Sequence, residues 1–277
     1  MTTKEKLFSL KNILKSMGKV IVAFSGGVDS TFLLKVAKEA LQKEGQRVLA
    51  VTARSASYPE SEFQETLRLA GEVGAEHLVI HTEEMENENY LKNPSNRCYF
   101  CKSELHSKLK DVAKEQNVDW ILDGTNYDDR TDYRPGMQAA QESGVRSPLL
   151  EAELTKEEIR TLSKELGLSN WDKAAMPCLS SRVPYGSFIT SGKLSMVEQA
   201  EKTLREMGFL ECRVRHHDQI ARIEVEKSAI PGILENGKMD SIIRKFKEIG
   251  FLYVTVDLEG FRSGSLNEPL KKGNSVI

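Results

Sequence analysis

Residues 19–40 read KVIVAFSGGVDSTFLLKVAKEA, and their texture changes twice. Lys19–Phe24 is a short apolar run dense in Val and Ile, the mark of a buried strand. Ser25–Ser30 (SGGVDS) interrupts it, and an apolar-periodic helix is expected over Thr31–Leu41. Gly26 and Gly27 let the backbone turn tightly and present N–H groups with no Cβ in the way. The helix start adds unpaired N–H groups and the positive end of the helix dipole. Ser25, Ser30 and Thr31 add hydroxyl donors. Strand, glycine turn and helix start make a cradle for an anion, most naturally a phosphate chain. The alternative is a glycine turn capped by Asp29 or Ser30. Neither G-x-x-x-x-G-K-[ST] nor G-x-G-x-x-G occurs here, so no P-loop kinase or Rossmann dinucleotide site is supported.

The alternation continues outward. Residues 4–17 predict a helix, 46–52 a strand, 60–73 a helix, 77–81 a strand, 99–116 a helix and 120–123 a strand ending in Gly124 and Thr125. Thr155 and Glu158 form a capping box before an apolar stripe over 154–166. Buried strands alternating with helices predict an α/β fold, a parallel sheet with helices on both faces. The texture changes near residue 170. Strands are expected at 212–215, 220–225 and 253–258, and helices ending near Gly208 and over 236–249, a smaller C-terminal α+β domain. The expected division is a first domain over 1–168, a linker over 169–190 and a second domain over 191–277. The 277 residues agree, being about two domains at roughly 150 residues each.

Composition narrows the class. Charged residues make up 29% and apolar residues 39%, which excludes a mostly disordered or collagenous chain. A net charge of -2 offers no global attraction for nucleic acid or an acidic membrane. No apolar run approaches the ~18 residues of a membrane span. The N-terminus lacks the apolar core of a signal peptide, so the expected location is cytoplasmic.

Four cysteines are too few for a disulfide scaffold. Cys98 and Cys101 form C-x₂-C in RCYFCK, and Cys178 follows in PCLSSR. C-x₂-C brings two thiolates close enough to share a metal or cluster. Buried thiols or a redox pair are the alternatives, although the context does not match a thioredoxin-like unit. Cys212 sits in an alternating segment and reads as a buried strand residue. Arg213 and Arg215 fall on one face of a strand, a suitable fork for a phosphate or else a solvated face with ion pairs. Asp123, Asp128, Asp129 and Asp132 cluster after a strand and suit either Mg²⁺ or turn hydrogen bonds.

The SGGVDS loop resembles the pyrophosphatase loop of the N-type adenylating enzymes, among them GMP synthetase, NAD synthetase and the tRNA thiolases. More of the chain resembles the LarE family, ATP-dependent sulfur transferases that build the nickel-pincer cofactor of lactate racemase. The matching pieces are SGGVDS (25–30), LDGTNYDD (122–129), DYRPG (132–136), CLSSR (178–182) with PYG (184–186), VRHHDQIARIE (214–224) and GFRSG (260–264). This resemblance implies a PP-loop fold in which ATP is held by Ser25, Gly26, Gly27, Asp29, Ser30, Thr52, Arg54 and Gly124, with Mg²⁺ on Asp29. It implies adenylation of a carboxylate of pyridinium-3,5-biscarboxylic acid mononucleotide, followed by replacement of an oxygen by sulfur. The implied substrate contacts are Arg97, Ser180, Arg182, Glu201, Arg213, Arg215 and Arg262, with the two strand arginines on the phosphate.

One branch of that family gives up the sulfur of a single cysteine, whereas another holds a [4Fe–4S] cluster on three. Cys98, Cys101 and Cys178 resemble the second, which implies catalysis by sulfide carried on an iron that has no cysteine ligand. The linker is then catalytic and the C-terminal domain binds substrate. The resemblance also implies a homo-oligomer, a trimer of dimers, and a sulfide or other sulfur donor. The rival readings are a tRNA thiolase, for which the charge supplies no basic face, and sacrifice of Cys178. A nucleotide-binding module without catalysis and an amidating ligase are more distant.

Overall fold

The computed structural model describes residues 1–43, 45–131, 135–235, 237–262 and 264–271. Asp132 and most of the DYRPG motif, Asn236 and Ser263 lie outside the described residues. Among those described, no helix is long and apolar enough to cross a membrane. The chain forms two compact units, one of residues 1–87 and 96–176, the other of 88–95 and 177–277.

The first unit is built on strands β1 (Lys19–Ala23), β2 (Arg47–Arg54), β3 (Glu76–His81) and β4 (Trp120–Leu122). They pair in parallel in the order β3-β2-β1-β4. Successive residues of β1 point to opposite faces. Val20 and Val22 enter one core with helices α1 (Thr3–Lys15), α2 (Val28–Ala40) and α3 (Glu60–Val73), while Ile21 enters a second with Leu109 and Val112 of α4 (Arg97–Glu115). The expected α/β sheet covered on both faces is present. The chain runs from β1 outward to β3, then returns to place β4 on the other side of β1. Such a reversal opens a crevice at the C-terminal strand ends, where α/β proteins bind ligands.

Two boundaries differ from expectation. Helix α2 starts at Val28 rather than Thr31, because extended Gly27 serves as its N-cap. Asp29 and Ser30 therefore lie in the first helical turn. Helix α4 starts at Arg97 rather than at residue 99, so both cysteines of the C-x₂-C lie within it.

Helices α5 (Pro135–Glu142) and α6 (Lys156–Glu165) complete the first unit's longer helices. The Thr155/Glu158 capping box forms as expected. Burial alone would raise the Glu158 pKa, but hydrogen bonds from Lys6, the Thr155 backbone, Thr3 and the Thr155 hydroxyl outweigh it and hold the carboxyl at about 2. A depressed carboxyl contributes stability that is complete above its unfolded pKa and is lost as pH falls through the folded one. Acid unfolding of the first unit is therefore expected to carry a component between about pH 4.5 and 2. Glu158→Gln should remove that component from a circular-dichroism titration.

In the second unit, β5 (Cys212–His217), β6 (Ile220–Val225) and β7 (Tyr253–Val256) form a mixed sheet. Helices α7 (Ser191–Glu206) and α8 (Lys238–Ile249) cover one face. There Val214, Ala221 and Ile223 meet Leu204, Phe246 and Phe251. Segment 88–95 is built into this unit: the Asn93 side chain donates to the Val183 and Pro184 carbonyls, and the Tyr90 and Ser180 hydroxyls share a hydrogen bond.

Candidate active site

The SGGVDS loop follows β1, beside the reversal of strand order. Its two structural demands are met by glycine. Gly26 has φ +63°, and a Cβ there would lie 2.8 Å from Thr66 Cγ2. Gly124, after β4, packs against the start of α2 so closely that a Cβ would lie 3.0 Å from the Ser30 nitrogen. Inside the loop the Ser25 amide donates to Ser30 Oγ at 3.3 Å, and the two hydroxyls lie 3.2 Å apart. Gly27, the N-cap of α2, has no side chain with which to cap the helix.

Residues distant in sequence brace the loop. Tyr58 Oη donates to the Ser25 carbonyl at 2.9 Å. Asn170 Nδ2 donates to the Gly26 carbonyl at 3.2 Å and to Thr31 Oγ1 at 3.0 Å. Lys173 reaches the Gly26 carbonyl at 3.4 Å and pairs with Glu62 at 2.8 Å. Lys156, the first residue of α6, pairs with Asp29 Oδ2 at 2.6 Å. The second Asp29 oxygen, Oδ1, is buried with no hydrogen-bond partner among the described residues. Spacing singles out none of Tyr58, Lys156 or Asn170. Only the Thr155 capping box carries a signal, since it sets where α6 begins.

Among the described residues no three His, Cys, Asp or Glu side chains form a group able to hold a metal ion. That does not exclude Mg²⁺ on a nucleotide, which is held by one or two carboxylates together with phosphate oxygens and water. The orphaned Asp29 oxygen beside a phosphate cradle fits that role. The described members of the acidic cluster after β4 all accept hydrogen bonds within the protein. Asp123 accepts from the Thr125 amide and Ser147 hydroxyl, and Asp129 from the Asn126 amide. Asp128 accepts from the Lys156 amide.

Thr52 is buried on β2, donating to the Phe24 carbonyl at 2.8 Å, with His77 Nε2 at 2.8 Å from the same hydroxyl. Arg54 ends the strand, paired with Glu60 and stacked 4.6 Å over Phe63. Cys98 is exposed and Cys101 half-buried. Three residues apart on α4, they share one helical face. Buried Arg97 begins the same helix.

In the second unit Cys178 precedes a short 3₁₀ turn, Leu179–Arg182. Arg182 is wholly buried, and its guanidinium donates to Glu201 at 2.7 and 3.0 Å, to the Pro177 carbonyl at 2.7 Å and to the Cys178 carbonyl at 3.2 Å. Glu201 also accepts from Arg205 and from the Val214 amide on the open edge of β5. Ser180, Arg182 and Glu201 are buried beside the Cys178 turn, Ser180 bonded to Tyr90 and Arg182 to Glu201. Cys212 lies in the core, where burial and Glu201 push its thiol up to about 12. It stays protonated at neutral pH.

The other sheet face carries the arginines. Arg215 is clamped by both Glu224 oxygens at 2.9 and 2.8 Å, and donates to the Ser181 carbonyl at 2.7 Å. Arg213 is buried yet makes no hydrogen bond or ion pair among the described residues; its guanidinium lies 4.5 Å over the Phe261 ring. Burial, then the positive charges of Arg182 and Arg215, lower its pKa to about 10. Glu201 and Glu224 offset this only in part, and a buried cation without a direct ion pair is costly unless a ligand supplies one. Arg262, by contrast, faces Glu259 at 2.7 Å and Glu268 at 3.1 Å.

Residues 4–114 match the NAD synthase family. An uncharacterized protein of Synechocystis is 45% identical over 97% of this chain and 99% of its own. The pyridinium-3,5-bisthiocarboxylic acid mononucleotide synthase of Lactiplantibacillus plantarum is 40% identical over 98% of this chain and 97% of its own. The glutamine-hydrolysing GMP synthase of Aeropyrum pernix is 25% identical over 71% of this chain and 41% of its own. A glycine cradle beside the strand reversal is what the first unit has in common with nucleotide-binding α/β folds, and the likeness to the Lactiplantibacillus synthase runs through both units: the protein belongs to the LarE family within the PP-loop ATP pyrophosphatases.

Proposed function

We propose that this protein is an ATP-dependent sulfurtransferase. Its substrate is pyridinium-3,5-biscarboxylic acid mononucleotide, and it yields the thiocarboxylate, AMP and pyrophosphate. The observation that carries the reading is Asp29, whose second oxygen is buried and unpartnered in the first turn of a glycine-cradled helix. ATP's phosphates lie on the 25–30 loop with Mg²⁺ on Asp29. Thr52, Arg54 and Gly124 line the nucleotide's surroundings. A substrate carboxylate oxygen attacks the α-phosphorus, the α–β bridge breaks and pyrophosphate departs. Donors of the loop and the ammonium groups of Lys156 and Lys173 oppose its charge. A sulfur nucleophile then attacks the acyl carbon and AMP leaves. In the second unit Arg213 receives the substrate phosphate, and Arg215, locked by Glu224, shapes that face.

Cys98, Cys101 and Cys178 are proposed as ligands of a [4Fe–4S] cluster. Three thiolates form a suitable soft donor set. When bound, the cluster would supply a soft, already deprotonated sulfur donor on the iron that has no cysteine ligand. Arg97 and Arg262 remain proposed substrate contacts. A cytoplasmic location and a hexamer complete the proposal. A sacrificial Cys178 is the second reading, favoured because its turn is bonded to the arginine face through Arg215 and Ser181.

Anaerobic UV-visible and EPR spectra, followed by turnover with sulfide, test the assignment. Alanine at Cys98, Cys101 or Cys178 is expected to abolish the iron–sulfur signal and multiple turnover, whereas Cys212→Ser should retain both. Multiple turnover by the triple-alanine protein would sink the cluster reading. Loss of the Cys178 sulfur, seen by intact mass after one turnover, would establish sacrifice.

A further inference from the structure

The GFRSG motif contains an arginine, but the residue before it has the more telling contact. We infer that Phe261 is a positioning residue that holds the Arg213 guanidinium ready for the substrate phosphate, and that Gly260 and Glu224 make this arrangement possible. The inference rests on the phosphate reading of Arg213.

Three observations support it. First, the backbone places the ring. Gly260 has φ +74°, and a Cβ there would lie 2.9 Å from the Val225 carbonyl and 3.1 Å from the Lys227 nitrogen. Only glycine allows the chain to lie this close to the end of β6. The next amide, of Phe261, donates to the Val225 carbonyl at 2.7 Å, which fixes the root of the side chain.

Second, the ring meets a cation that has no hydrogen-bonding partner among the described residues. Arg213 Cζ lies 4.5 Å from the Phe261 centroid, within the range of cation–π attraction. The contact takes up no N–H of the guanidinium in a conventional hydrogen bond, which leaves those donors for an oxyanion. Phenylalanine has no acceptor, so it orients the charge without neutralising it.

Third, the obvious counter-ion is held elsewhere. Glu224 is the register partner of Arg213 across β5 and β6. Its carboxylate instead takes Arg215 at 2.9 and 2.8 Å and Arg222 at 2.9 Å. Two neighbouring arginines thus have different duties: Arg215 is an anchored support, and Arg213 is the charge kept for a ligand.

The test is steady-state kinetics on the intact protein. The varied substrates are the pyridinium biscarboxylic mononucleotide and the corresponding nucleoside without phosphate. Phe261→Leu is expected to raise KM for the mononucleotide by about three- to thirtyfold, the range of a cation–π contact. The value of kcat should change less than twofold, KM for ATP should stay constant, and nucleoside use should be unaltered. Phe261→Tyr, which keeps the ring, should restore the wild-type KM. A general packing defect would instead affect both substrates alike, and that outcome would overturn the inference. An unchanged KM in Phe261→Leu beside a raised KM in Arg213→Ala would reject Phe261 alone. An unchanged KM in Arg213→Ala would reject the phosphate reading and the inference with it.

Discussion

Asp29→Asn is expected to lower ATP–pyrophosphate exchange by about a hundred- to a thousandfold, the effect of losing one preorganised electrostatic contact to a developing charge. The substitution is nearly isosteric, so the cradle around it should persist. What changes is charge. Asp29 faces Lys156 at 2.6 Å with one oxygen and is buried and unpartnered with the other. Asparagine removes the anion that would hold Mg²⁺ and leaves Lys156 without its counter-charge. The pair is partly exposed, with side-chain accessibilities of 34% and 23%, so about 1 kcal/mol or less of stability is at stake. The measurement is labelled pyrophosphate incorporation into ATP in the presence of the mononucleotide, across a Mg²⁺ titration. The mutant curve should shift to higher Mg²⁺ as well as fall. Unaltered exchange at every Mg²⁺ concentration would remove Asp29 from the metal role.

Glu201→Gln is expected to have the largest effect on stability, about 3–5 kcal/mol in the second unit, because it breaks a buried ion pair from one side. The Glu201 and Arg182 side chains are 1% and 0% exposed. Glutamine leaves the guanidinium buried without compensating charge. It also weakens the link to Arg205 and to the Val214 amide. Urea unfolding followed by a probe in the second unit measures the loss. A double variant, Arg182→Met with Glu201→Leu, provides the control. Removing both charges into an apolar surrounding should recover much of the stability. It should not recover sulfur transfer, because the Pro177 and Cys178 carbonyls have then lost the donor that fixes the turn. If the double variant transferred sulfur normally, Arg182 would be a scaffold residue with no bearing on Cys178.

The same pair shows where sequence reading stops. CLSSR shows an arginine beside a cysteine but not which groups the arginine pairs with. In the fold the arginine turns inward, because an acid on α7 and two carbonyls of its own turn surround it. Arg262, a proposed substrate contact, likewise faces Glu259 and Glu268, partners that its motif does not announce. Conversely, Lys156 and Asn170 lie 127 and 144 residues from the loop positions they touch. No spacing rule connects residues so far apart.

Local pattern was enough for the α/β class, the glycine cradle, the Thr155 cap and the common face of Arg213 and Arg215. These depend on periodicity, on glycine's freedom and on hydrogen bonds spanning three residues, all of which act between near neighbours. Charge pairing was decided by tertiary structure, because a carboxylate serves whichever cation the fold brings within about 3 Å. Glu224 faces Arg213 in register but bonds Arg215 and Arg222. That choice, made between two paired strands, leaves Arg213 without an ion pair among the described residues.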